Sequence, residues 1–159
     1  TYGFGFETAD GTTMKVRFGG YADRIDRLAE GVLRVVDYKT GSDHREFKNI
    51  EKLFSPTKGD NNSAALQTLL YSMMLSGESG ADVRPELYFV RKMGMEGYSP
   101  FLSGKEGKSD ITSYLDYKEV FEERLSSALR DLFDPGLTFT QCEDPYPCRY
   151  CDFNRICNR

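Results

Sequence analysis

Two short runs of strict alternation, on either side of Asp10-Gly11, constrain the fold of this chain more than any other feature. Tyr2, Phe4 and Phe6 alternate with Gly3, Gly5 and Glu7, and Met14, Val16 and Phe18 alternate with Lys15 and Arg17. A period of two puts each apolar set on one face of a strand, and Asp-Gly suits the tight turn between them. Residues 2–18 are therefore expected to form a β-hairpin. Gly19-Gly20 allows a bend into a third strand over residues 21–28, and Glu30-Gly31 makes the next turn. The fourth strand opens with Val32-Leu33-Arg34-Val35-Val36, which is β-branched and mostly buried, and runs through Asp37-Tyr38-Lys39 to stop near Gly41.

Beyond the fourth strand the pattern changes. Residues 42–62 are polar, with room for a short helix carrying Phe47, Ile50, Leu53 and Phe54 on one side. Ser63 is the expected N-cap of a helix over 64–76, with Gly77 as its stop. Residues 85–92 read as a strand buried on both faces, residues 98–102 as a further strand, and residues 104–110 as a charged loop. Phe121, Leu125, Ala128, Leu129 and Leu132 follow helical spacing, so a helix is expected over 116–133, ended by Pro135-Gly136. Strands, a helix, one or two strands and a helix make an α/β or α+β sheet domain.

The 159 residues suit one domain, and 39% hydrophobic with 29% charged residues excludes a disordered chain. No apolar run approaches the roughly 20 residues of a membrane span, and no basic-then-apolar leader opens the chain. The first residue is Thr1 rather than Met, which reads as a piece of a longer protein. A net charge of −4 argues against coating nucleic acid by charge alone. It leaves room for a nuclease, because bound metal ions offset acidic ligands.

Asp37 and Lys39 are two apart at a strand end, so they share a face and Tyr38 takes the other. A carboxylate there can bind Mg²⁺, and a lysine beside it can orient water or stabilise charge on a phosphate. An exposed strand end with a salt bridge is the simpler reading. Asp23 and Asp26 lie on the preceding strand, three apart and hence on opposite sides, so one of the two can join Asp37. Gln67 and Tyr71 are four apart, hence neighbours on one helix face, at the edge of a stripe of Leu66, Leu70, Met73 and Met74. By spacing alone they are a polar boundary of that stripe.

These blocks together resemble the PD-(D/E)xK nuclease superfamily, and within it the RecB and AddB type of repair nuclease. Gly20-Tyr21-Ala22-Asp23 is similar to the family's G-x-x-D, and Asp37-Tyr38-Lys39-Thr40, 14 residues after Asp23, to its D-Y-K-[ST]. Gln67-Thr68-Leu69-Leu70-Tyr71 matches its Q-x-x-x-Y, and Cys148, Cys151 and Cys157 match the C-x2-C-x5-C end of the AddB branch. The resemblance implies a restriction-endonuclease-like α/β core over 1–140, with a mixed central sheet flanked by helices and a cysteine-rich tail over 141–159. It implies a cytoplasmic, Mg²⁺- or Mn²⁺-dependent DNA nuclease of double-strand-break repair, partnered by a helicase subunit or a helicase domain of the same complex. The products would carry 5′-phosphate and 3′-hydroxyl ends. Asp23 and Asp37 would be metal ligands, joined by the Tyr38 carbonyl. Lys39 would be the catalytic lysine, Gln67 and Tyr71 would line the site, and Arg24 and Asp26 would brace it by charge pairing.

The family also carries a His or Glu on a helix before these strands, so one metal ligand is expected upstream of Thr1. His44, the sole histidine, follows the Asp37–Lys39 block and reads as a surface residue. Two other readings are an inactive DNA-binding or scaffold module of a degenerate nuclease and a CRISPR-adaptation type of nuclease.

All four cysteines fall between Cys142 and Cys157, a clustering that points to metal binding. Four thiolates suit Zn²⁺ or an iron–sulfur cluster, and spacing does not choose between them. The AddB resemblance implies a structural [4Fe–4S] cluster whose fourth ligand is a distant upstream cysteine, unless Cys142 replaces it. Free or oxidised thiols are the third option. Lys48, Lys52, Lys58, Arg91, Lys92, Lys105 and Lys108 are candidates for phosphate contacts or for ordinary solvated surface.

Overall fold

The computed structural model describes residues 1–42, 45–55, 60–104, 109–138, 140–141, 145 and 147–158, leaving aside the side chains of Glu30, Pro147 and Tyr150. The expected hairpin is present as β1 (Tyr2–Glu7) and β2 (Thr13–Phe18), paired from Tyr2↔Phe18 to Glu7↔Thr13. Gly11 takes φ +83° in its turn, where a side chain would be strained. Phe4 and Phe6 are buried, as the alternation requires, while Gly3 and Gly5 face out.

The central sheet has the order β3 (Arg24–Arg27), β4 (Leu33–Lys39), β6 (Val83–Phe89), with β5 (Glu46–Phe47) in a separate sheet. β4 runs antiparallel to β3 and parallel to β6, in register from Leu33↔Val83 to Lys39↔Phe89. The sheet is therefore mixed, as expected of the α/β core. The third strand is shorter than the expected 21–28: residues 19–23 carry no strand, and β3 begins at Arg24.

The parallel pairing of β4 and β6 requires a crossover, and α1 (Ser63–Ser79) provides it. Its cap is Asn62 rather than Ser63: the Asn62 side chain accepts from Ala65 N–H at 3.0 Å. The helix also runs past Gly77 to a left-handed cap at Gly80 (φ 70°). Gly77 is there for space, since a Cβ on it would lie 2.2 Å from the Tyr2 ring. Ala65, Thr68, Leu69, Ser72, Met73 and Ser76 form the buried face. Thr68 and Ser72 satisfy their hydroxyls on the carbonyls of Ala64 and Thr68, one turn back. That face meets Leu33, Val35, Val83, Leu87 and Phe89 in one core.

The polar excursion holds β5 and a 3₁₀ turn at Glu51–Phe54 rather than a regular short helix. Phe47, Ile50 and Leu53 are nonetheless buried together, so the expected apolar side is real. β5 pairs with β7 (Leu102–Gly104), which pairs with β8 (Ser109–Ile111). α2 (Lys118–Leu132) packs Phe121, Leu125 and Leu129 inward, against β1 and the 3₁₀ turn. Among the described residues, no helix is long and apolar enough to cross a membrane.

Candidate active site

The strand β4 carries two different environments, one on each face. Its odd-numbered residues Leu33 and Val35 join the core beneath α1. The same parity delivers Asp37 and Lys39 to the α1 side of the sheet, at its C-terminal end. Asp37 is 4% exposed, which demands a compensating charge. Lys39 supplies it, with Nζ 2.7 Å from Asp37 Oδ2. That contact is close but poorly aligned, so Asp37 Oδ2 remains without a directed hydrogen-bond donor.

The ammonium is held from its other side. Lys39 Nζ donates to Gln67 Oε1 at 2.9 Å, and Gln67 Nε2 donates to the Tyr71 hydroxyl at 2.9 Å. Gln67 and Tyr71 sit one turn apart on α1, beside its buried face. They are thus a hydrogen-bonded pair directed at β4 rather than a passive polar boundary. The next stripe of α1 presents Leu66, Leu70 and Met74 to a groove of about 280 Å³ that also borders Phe18, Gln67 and Tyr71.

Asp23 and Asp26 part as their parity requires. Asp23 lies just before β3, where the β3–β4 register extended by one residue places it opposite Asp37. Its Oδ2 accepts from the Tyr38 N–H at 2.8 Å, which fixes its carboxylate to the strand end that carries Asp37 and Lys39. Asp26 instead turns to the opposite face. Arg24 Nε reaches Asp26 Oδ1 at 2.8 Å, and Arg34 Nε reaches Asp26 Oδ2 at 2.9 Å. Hydrogen bonding from Arg34 first, then Arg24, holds the Asp26 carboxyl below the usual carboxylate range. Asp26 also bonds to Arg34 through Nη2, and the chain of charges continues through Glu86 to Arg84, with Arg84 Nε 2.8 Å from Glu86 Oε1.

Glu86 is 1% exposed and was not singled out by the sequence. The available signal was one acid inside the apolar strand of residues 85–92. Tyr38, on the same face as Glu86, packs its ring 5.6 Å from that of Tyr88.

The remaining candidates stand apart from this constellation. Lys48 and Lys52 pair with Asp60. Arg91 and Lys92 form an exposed 3₁₀ turn after β6. His44, Lys58, Lys105 and Lys108 lie outside the described residues, as does Cys142. Cys148, Cys151 and Cys157 are free thiols in a succession of turns. Among the described residues, no three His, Cys, Asp or Glu side chains come together as a metal-binding group.

Comparison with known proteins adds sequence similarity to this geometry. The family model of the PD-(D/E)XK nuclease superfamily matches residues 2–158. An ATP-dependent helicase/deoxyribonuclease subunit of Streptococcus agalactiae serotype III (strain NEM316) is 27% identical over 122 residues. That alignment covers 74% of this chain and 10% of the relative, so the chain spans about a tenth of the length of that protein. No solved structure matches.

Proposed function

The chain belongs to the PD-(D/E)XK nuclease superfamily, and from that premise we propose that it is a divalent-metal-dependent DNA nuclease working beside a helicase in double-strand-break repair. The observation that carries this reading is the meeting of Asp23, Asp37, Lys39 and Gln67 at one strand end, from three separate parts of the sequence. The name of the streptococcal relative, a helicase/deoxyribonuclease, supports DNA as the substrate and a helicase as the partner. A cytoplasmic location belongs to the same reading.

The donor set suits Mg²⁺ or Mn²⁺. Mg²⁺ typically takes one or two carboxylates and leaves its other positions to water and phosphate. Asp37 Oδ2 is buried and already faces a positive charge, the Lys39 ammonium at 2.7 Å, so the pocket suits a carboxylate paired with a cation. Asp37 and Asp23 would hold the ion, with the Tyr38 carbonyl beside them. A bound Mg²⁺ supplies Lewis-acid polarisation and a lowered pKa for water.

The protein's own groups do the rest. Lys39, held between Asp37 and Gln67, keeps a positive charge where a phosphate would gather negative charge in the transition state. Gln67 fixes that ammonium through its carbonyl oxygen, and Tyr71 fixes the orientation of the Gln67 amide. The tail thiols Cys148, Cys151 and Cys157 have the donor chemistry of a structural [4Fe–4S] or Zn²⁺ site, although their described positions do not assemble one. Iron and zinc analysis of anaerobically purified protein tests that part, and an absence of both metals refutes it.

The nuclease reading is tested with end-labelled linear DNA and Mg²⁺, using the full-length protein and its Lys39→Ala variant. Wild-type cleavage that disappears in the variant is the expected outcome. Equal cleavage by both would move the site elsewhere. Mg²⁺ binding without cleavage, with the helicase partner present, would make the domain a binding module.

A further inference from the structure

Resting on that nuclease reading, we infer that Gly20 is a positioning residue for Lys39, acting through Tyr71 and Gln67. Gly20 has no positive φ, so it is not needed for an unusual backbone conformation. It is needed for room. A Cβ built on it would lie 2.6 Å from Tyr71 Cε1, 3.2 Å from the Tyr71 hydroxyl and 3.3 Å from Cζ.

Contact at 2.6 Å forces a displacement, and the half-buried Tyr71 ring, which borders the groove, has room to take it up. Tyr71 packs against the core, and its hydroxyl accepts from Gln67 Nε2 at 2.9 Å. A ring pushed away from residue 20 carries that hydroxyl with it. Gln67 then loses the partner that orients its amide, and Lys39 loses the fixed carbonyl oxygen it donates to. The bare Cα of Gly20 is thus the outer wall of a relay that runs Gly20, Tyr71, Gln67, Lys39.

The backbone offers no easy escape. Gly20 lies in the short connection between β2 and β3, and Asp23, three residues on, is tied to the Tyr38 N–H. Retreat of the connection would instead disturb Asp23. The two routes have different signatures, because Asp23 serves metal binding and Gln67 serves Lys39.

The test compares Gly20→Ala, Tyr71→Phe and the double variant in the full-length protein. A misplacement of about 1 Å costs on the order of a hundredfold in rate. Gly20→Ala is therefore expected to lower kcat on linear DNA by about that factor, with KM for DNA and Mn²⁺ affinity within about twofold of wild type. Adding Gly20→Ala to Tyr71→Phe is expected to change kcat by less than about twofold, because the link is already cut. Multiplying effects, or weakened Mn²⁺ binding, would overturn the relay.

A crystal structure of Gly20→Ala decides the same point without activity. The Gln67 Nε2 to Tyr71 hydroxyl contact should be broken, and its survival would refute the inference. If the wild type cuts no DNA, the nuclease reading falls while this structural arm still decides the relay. If Gly20→Ala does not fold, Gly20→Ala in a Tyr71→Ala background, where the ring is gone, must be as stable as Tyr71→Ala alone.

Discussion

Removal of Lys39 should expose how much of the site's stability rests on one ion pair. Asp37 has a side chain 6% exposed, so its carboxylate is almost cut off from water. Lys39 is 30% exposed and supplies the cation at 2.7 Å. Deleting one partner of a fully buried pair costs about 3–5 kcal/mol, because the other charge is stranded. Lys39 keeps about a third of its surface in water, so solvent can replace part of what it provides. We therefore expect Lys39→Ala to cost about 1–3 kcal/mol in metal-free buffer, a fall of several degrees in Tm for a domain of this size.

The single substitution alone does not separate lost charge from lost packing. The cycle of Lys39→Ala, Asp37→Ala and the double variant does, with urea unfolding as the assay. In the double variant no charge is stranded, so it should be more stable than Lys39→Ala although it lacks more atoms. A double variant less stable than Lys39→Ala, or a coupling under about 0.5 kcal/mol, would refute the argument that burial of Asp37 is what needs Lys39.

Three other outcomes follow from the same geometry. Gly77→Ala places a methyl 2.2 Å from the Tyr2 ring and should destabilise by about 1–3 kcal/mol, read as a lower urea midpoint. Asn62→Ala removes the cap on Ala65 N–H and should cost about 1 kcal/mol, while Ser63→Ala, one residue inside the helix, should cost less. The folded-state pKa of Asp26 is lowered by Arg34 and Arg24, so this group's stabilisation is complete above the ordinary Asp pKa and is lost as pH falls through the depressed value. Unfolding measured from neutral to acid pH should show a shallower acid loss in Asp26→Asn than in wild type, and parallel curves would refute the assignment.

The hairpin and the second helix were legible in the sequence because their burial is periodic, and β4 because its run is β-branched and mostly buried. Alternating Phe4 and Phe6 against glycines leaves one choice of inward face, and the spacing of Phe121, Leu125 and Leu129 leaves another. Asp37 and Lys39 were assigned to a common face by strand parity, and the ion pair between them agrees. Parity also separated Asp23 from Asp26, but it could not say which of them joins Asp37. That choice belongs to the register of β3 on β4 and to Arg24 on β3 and Arg34 on β4, which claim Asp26.

Helix ends were less legible, since Gly77 is a reasonable stop until β1 is seen packed against it. There the missing Cβ admits Tyr2, and the helix continues until Gly80 takes the left-handed conformation. Gln67 and Tyr71 needed the tertiary fold most. Their four-residue spacing determines that they are neighbours, whereas the crossover that lays α1 along β4 decides that they face Lys39. Local pattern encodes which side of an element is apolar, because burial is a property of each side chain. The partners of a polar side chain come from distant parts of the chain, and they meet only when the sheet and helix are packed together.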